Sequence, residues 1–180
     1  MHIFDKDFRE IFSSQAISLI AGLIVGVMFA LYTEKLLLLP GILILLPGFL
    51  EMRGNISGSL SARLSSGLFL RIINPRKINS RIVKGNIAAS FLLALAVTLS
   101  LGLLTYFFNL LVFNINMPII ILLPIIAGII SNIIQIPLTL FITFYLFKKG
   151  YDPNNIMGPF LTSTGDVIST ISLLIVLVII

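Results

Sequence analysis

Asp166 stands near the middle of a terminal stretch, Met157–Ile180, that holds no other acidic residue. It lies about 14 Å into that stretch at ~1.5 Å of helix rise per residue. Helical spacing places Gly158, Thr162, Gly165, Asp166 and Ser169 on one face, a small and hydroxyl-rich stripe around a single carboxylate. Carboxylates and hydroxyls are hard oxygen donors, the ligand type that Mg²⁺ and Ca²⁺ prefer. A second group lies in PGFLEMRGNISGSLSARLS, residues 47–65, where Gly54, Asn55, Ser57, Gly58, Ser59 and Ser61 are flanked by Glu51, Arg53 and Arg63. Gly54 allows backbone to approach a ligand, while Asn55 and unwound carbonyls can replace part of an ion's hydration shell. The same segment also reads as a re-entrant or interfacial turn that only packs. A third stripe is Gly128, Asn132, Gln135 and Thr139, with Asn86 and Ser90 elsewhere. Hydrogen bonding between helices accounts for these without a transport role. Ser14, Ser18, Gly22, Gly26 and Ala30 recur every four residues and read as a packing face.

The elements that carry these residues must lie in a membrane. Of 180 residues, 58% are hydrophobic and 11% charged, and the mean hydropathy is +1.12. A soluble domain carries about 25% charged residues. This composition excludes a soluble enzyme, a nucleic-acid-binding domain and a disordered chain, despite the sequence pI of 9.8. There is no Cys, and the single His is His2. Disulfides, thiolate metal sites, a Cys nucleophile and a His-based triad are therefore excluded within one chain.

Five spans are expected. Ile11–Thr33 is 23 residues without a charge, enough to cross a core of ~30 Å. The mixed charges before it make a poor signal-peptide leader. Leu36–Leu50 is charge-free for only 15 residues, so the second span is expected to be interrupted and to draw in part of the polar stretch 51–66. Gly85–Phe147 is 63 residues without a charge and must be two spans, roughly 85–108 and 118–147, turning at Asn109, Asn114, Asn116 and Pro118. The turn Tyr151-Asp-Pro-Asn-Asn155 precedes the last span. Nine of the 12 basic residues fall on one side of this arrangement, which predicts a cytoplasmic N-terminus and an external C-terminus.

Two of these segments look familiar together. PGFLEMRGNISGSLSARLS resembles the Pro-x-x-x-x-x-x-Gly-Asn signature of the MgtE and solute-carrier-41 divalent cation transporters. GYDPNNIMGPFLTSTGDVIST resembles the last helix of that family, and KGNIAAS fits the start of the third span. The likeness is nearest the solute-carrier-41 branch. It implies that residues 1–180 form a single all-α membrane domain of five helices that pairs into a dimer around a cation pathway. The acid on the last helix would bind Mg²⁺, which is Asp166 by motif. Asn55 would line the pathway beside Gly54, and Thr162 and Ser169 would be the flanking small residues. Bacterial members carry a cytosolic sensing domain, and no such domain is expected here. Animal members hold two such membrane units in one chain, so the partner would be an identical chain or a related half.

The resulting expectation is a multi-pass protein of the cell membrane that moves a divalent cation. Mg²⁺ is favoured, as the transported ion rather than a tightly bound cofactor. Bilayer lipid, the cation and a second copy are the expected partners, and nucleic acid is not. The residues leave two other readings open: a proton- or Na⁺-coupled exchanger in which Asp166 cycles a proton, and a non-catalytic subunit of a membrane complex. An enzyme is not expected.

Overall fold

The computed structural model describes residues 6–179, so the readings made on His2 and Ile180 lie outside the described residues. Five helices follow in order: α1 Lys6–Leu37, α2 Ile42–Phe69, α3 Arg81–Phe113, α4 Ile119–Lys148 and α5 Pro153–Ile179. No strand occurs among the described residues. Four of the helices are long and apolar enough to cross a membrane. The exception is α2, whose 28 residues would extend about 42 Å but carry too many polar groups.

Local chemistry explains where the helices begin and turn. The Ser80 hydroxyl accepts from the Val83 amide at 3.4 Å and caps α3. Asp152 does the same for α5, accepting from the Asn154 amide at 2.8 Å, with Pro153 at the first helical position. The turn between α3 and α4 comes later than Asn109: α3 continues to Phe113 and ends on Asn114 in the left-handed conformation at φ 55°. Asn109 is instead fully buried inside the helix, where its amide donates to the Pro40 carbonyl at 2.9 Å. That bond ties α3 to the α1–α2 turn, where Gly41 takes φ 83°.

The interruption expected in the second span is not inside it. The helix runs from Ile42 to Phe69 with Pro47 in its early turns, and the break precedes it at 38–41. Nor is 47–65 an unwound or re-entrant segment. Its backbone carbonyls are spent within the helix, so only side chains remain to act as ligands.

α2 sits at the centre, packed against α3, α4 and α5, while α1 lies mainly along α5. One apolar cluster joins Ile42, Leu45 and Phe49 to Ile120, Leu123, Leu173 and Val176. Another joins Leu60, Leu64 and Leu68 to Val83, Ile136, Leu140 and Phe144. Between them runs a buried polar layer that includes Arg53, Ser57, Ser131, Asn132, Gln135 and Ser169. The packing face read on α1 holds only in part. Ser14 is buried and Ser18 half-buried, but Gly22, Gly26 and Ala30 are exposed.

The basic residues gather at one end. The Lys6 ammonium donates to the Gly150 carbonyl at 2.7 Å. Phe69, at the end of α2, packs edge-on against Phe147 at 5.2 Å. The start of α1, the 70–80 loop and the α4–α5 turn thus share one end of the bundle, as the charge asymmetry requires.

Candidate cation site

α2 and α5 meet where small residues permit it. A Cβ added to Gly54 would stand 3.3 Å from the Thr162 hydroxyl, and one added to Gly165 would stand 3.8 Å from the Arg53 Cβ. Two polar surfaces diverge from this contact, one open and one buried.

The open surface carries Glu51, Asn55 and Ser59 on α2 and Gly158 and Thr162 on α5, all exposed, with Asp166 half-buried beside them. A Cβ at Gly58 or Gly158 would meet nothing within 4 Å. The Asn55 amide donates to a Glu51 carboxylate oxygen at 3.1 Å. Glu51 lies close enough to Asp166 for the two carboxylates to repel each other. The Thr162 hydroxyl donates to the Gly158 carbonyl at 3.1 Å, so its oxygen is still able to accept. The donor set is all oxygen: two carboxylates, an amide and a hydroxyl. Among the described residues no three His, Cys, Asp or Glu side chains cluster, so one chain offers a pair of carboxylates rather than a cage. Few protein carboxylates and retained water suit Mg²⁺.

Four of the five expected site residues, Gly54, Asn55, Thr162 and Asp166, therefore fall at this open face. Ser169 does not. It is fully buried, 3.3 Å from the Ser131 hydroxyl, so the α5 stripe turns from the open face into the bundle at that residue.

The buried surface belongs to the polar layer. Arg53 is 1% exposed. One guanidinium nitrogen, Nη1, donates to the Asn132 side-chain oxygen, while Nε and Nη2 have no partner. The Phe49 ring lies 5.4 Å from its centre. A guanidinium at mid-membrane depth costs about 2.5–3.5 kcal/mol on insertion scales. Two members of the α4 stripe bond across to other helices, as expected: Asn132 accepts from Arg53 and Gln135 donates to the Leu161 carbonyl at 3.3 Å, whereas Thr139 bonds back within its own helix at 2.8 Å.

Sequence reasoning treated Glu51 and Arg53 only as flanking charges. The signal for Glu51 was its spacing of four from Asn55, which joins them once 47–65 is helical. The signal for Arg53 was its place in Arg53, Ser57, Ser61 and Ser65, a four-residue repeat that is buried throughout.

No curated protein and no solved structure gives a significant match. The family model of the MgtE divalent cation transporters matches residues 46–176, which spans α2 to α5 and includes every residue of the open face. A match over most of the 180 residues, on a bundle of membrane-length helices bearing oxygen donors, leads to one conclusion: this multi-pass membrane chain belongs to the MgtE divalent cation transporter family.

Proposed function

We propose that the open α2–α5 face is half of a Mg²⁺ pathway, completed by a second copy of the chain across a two-fold axis. One observation carries this reading. Glu51 and Asn55 are exposed on α2, at the heart of a bundle whose other four helices are of membrane-crossing character, and Thr162 is exposed on α5 with Asp166 half-exposed beside it. Ionisable side chains at that depth face a protein partner or a water-filled cavity, not lipid. A two-fold axis would bring four carboxylates around one route, with Asn55 and Thr162 as neutral oxygens. Repulsion among those carboxylates favours a cation, and the openness of the face leaves space for its water shell. Gly54 sets the α2–α5 spacing on which the arrangement depends.

The test is ion flux into liposomes holding the purified protein, with Mg²⁺, Mn²⁺, Ca²⁺ and Co²⁺ compared. Divalent flux led by Mg²⁺ is the expected result. Flux that needs no divalent ion and follows only a proton or Na⁺ gradient would replace this reading with that of a monovalent exchanger.

A further inference from the structure

A second opening lies between α3 and α4 and shares no residue with the α2–α5 face. It is a groove of about 560 Å³, a volume within the range of small-ligand sites. Its walls are graded from charged to apolar. Lys84 stands at the basic end, in the first turn of α3. Ile87, Phe91 and Leu92 follow on α3, and Ile133 and Pro137 face them from α4. From Lys84 to Leu92 is about 12 Å of helix. The groove therefore has a cation at the end of the bundle and hydrocarbon toward its middle. Its deep end is closed by Asn132, which accepts from Arg53 of α2. Leu92 is 66% exposed and Ile133 63%, so no other part of the chain covers the groove from outside.

The charge at the mouth is not balanced within the protein. Arg81 stands one turn before Lys84 on α3, on the same side of the helix, and both are exposed. No Asp or Glu occurs between Glu51 and Asp152, so neither α3 nor α4 offers them a carboxylate. The one ion pair among the described residues is Lys6 with Glu10. Both flanking helices are long and apolar enough to cross a membrane, so the groove is open to lipid along its length. A zwitterionic lipid would bring its own cation beside Arg81 and Lys84. A lipid with net negative charge brings only the phosphate, and basic pockets between membrane helices favour such headgroups.

We propose that the α3–α4 groove holds one anionic phospholipid. Its phosphate lies against Lys84 and Arg81, and an acyl chain runs along Ile87, Phe91 and Ile133 toward Asn132. The gradient of the walls matches the gradient of the molecule: charge at the bundle end, hydrocarbon within. A chain seated there bridges α3 and α4 and abuts the residue that ties α4 to α2, so occupancy stabilises the bundle.

The test titrates the full chain, purified in detergent, with phosphatidylglycerol or with phosphatidylcholine carrying the same acyl chains. Native mass spectrometry counts the lipid retained and thermal melting reads its effect. One phosphatidylglycerol per chain should be retained and should raise the melting temperature, at concentrations about tenfold below those needed for phosphatidylcholine. Lys84→Gln should weaken phosphatidylglycerol binding about fivefold and leave phosphatidylcholine unchanged. Lys77→Gln removes the same charge from the α2–α3 loop, outside the groove, and should leave both unchanged. Ile133→Trp puts bulk into the groove at an exposed position. It should lose both lipids while melting as the wild type does without lipid. Equal retention of the two lipids, or equal loss from Lys84→Gln and Lys77→Gln, would overturn the proposal. So would stabilisation by inorganic phosphate alone to the same extent, or full phosphatidylglycerol retention in Ile133→Trp. Should Ile133→Trp fail to fold, the Lys84 and Lys77 variants decide it.

Discussion

The side-chain amide of Asn55 donates to Glu51 at 3.1 Å, one helical turn back along α2. The bond aims the carboxylate, so in the proposed site one residue would both orient a charged ligand and offer its own oxygen as a neutral one. Asn55→Leu removes both roles while filling similar space. Loss of a residue that orients a metal ligand typically costs 10–100-fold in affinity or activity. We expect divalent flux to fall by about tenfold or more, with melting temperature unaltered in the absence of ions. Undiminished flux would return Asn55 to a packing role.

Gly54 should matter for spacing. Its added Cβ would stand 3.3 Å from the Thr162 hydroxyl and 3.8 Å from the Thr162 Cα, and that backbone cannot yield as a side chain can. Gly54→Leu is expected to wedge α2 from α5 and destabilise the protein by about 1–3 kcal/mol. Thermal melting and flux should fall together. A variant that melts normally and transports normally would show that the contact is not needed.

Gly41 and Asn109 form a lock at the end opposite the basic loops. Gly41 has φ 83°, and an added Cβ would lie 2.1 Å from the Asn109 amide nitrogen. Gly41→Ala should cost about 1–3 kcal/mol from backbone strain alone. Asn109→Ala loses the bond to Pro40 but clears that space, so the double variant should be less destabilised than the sum of the two. Melting temperatures of all four proteins test this; strict additivity would contradict the geometry.

These residues also show what could be read before the structure. Long apolar runs marked four spans, and Asp152-Pro153 and Asn114 marked ends, because capping and turn chemistry are local. Asn109 was misplaced because asparagine is a turn former, yet here its amide satisfies a carbonyl 69 residues away. α2 was the hardest to read. One stripe, Glu51, Asn55 and Ser59, is polar because it is open. The other, Arg53, Ser57 and Ser61, is polar although it is buried. With both faces polar, the apolar contrast that announces an amphipathic helix cancels, and Pro47 and the glycines then suggested a break. Asp166 was legible alone because one charge in an apolar run needs no partner to be conspicuous; its partnership with Glu51 required knowing how α2 and α5 cross.

The shared basic end gives a topology that can be measured. If that end is cytoplasmic, a single Cys at Asn114, in the α3–α4 turn, should react with impermeant thiol reagents from outside intact cells. Reaction only after permeabilisation would invert the orientation. Under the two-fold arrangement, Ser59→Cys on the open face of α2 should form a disulfide between two copies in membranes. A chain that stays monomeric in active samples would contradict the dimer.

If Asp166 and Glu51 together hold the transported ion, divalent flux must depend on both carboxylates. In liposomes of purified protein, Mg²⁺ flux is compared for the wild type, Asp166→Asn and Glu51→Gln. Both substitutions keep shape and remove charge, and neutral side chains are cheaper to hold in the membrane than carboxylates. Both variants should therefore fold and should lose most of their Mg²⁺ flux, about tenfold or more for each. Asp166→Glu should keep part of it, because the charge survives on a longer arm. Wild-type flux from Asp166→Asn, with Mg²⁺ still raising its melting temperature, would place the ion site elsewhere in the protein.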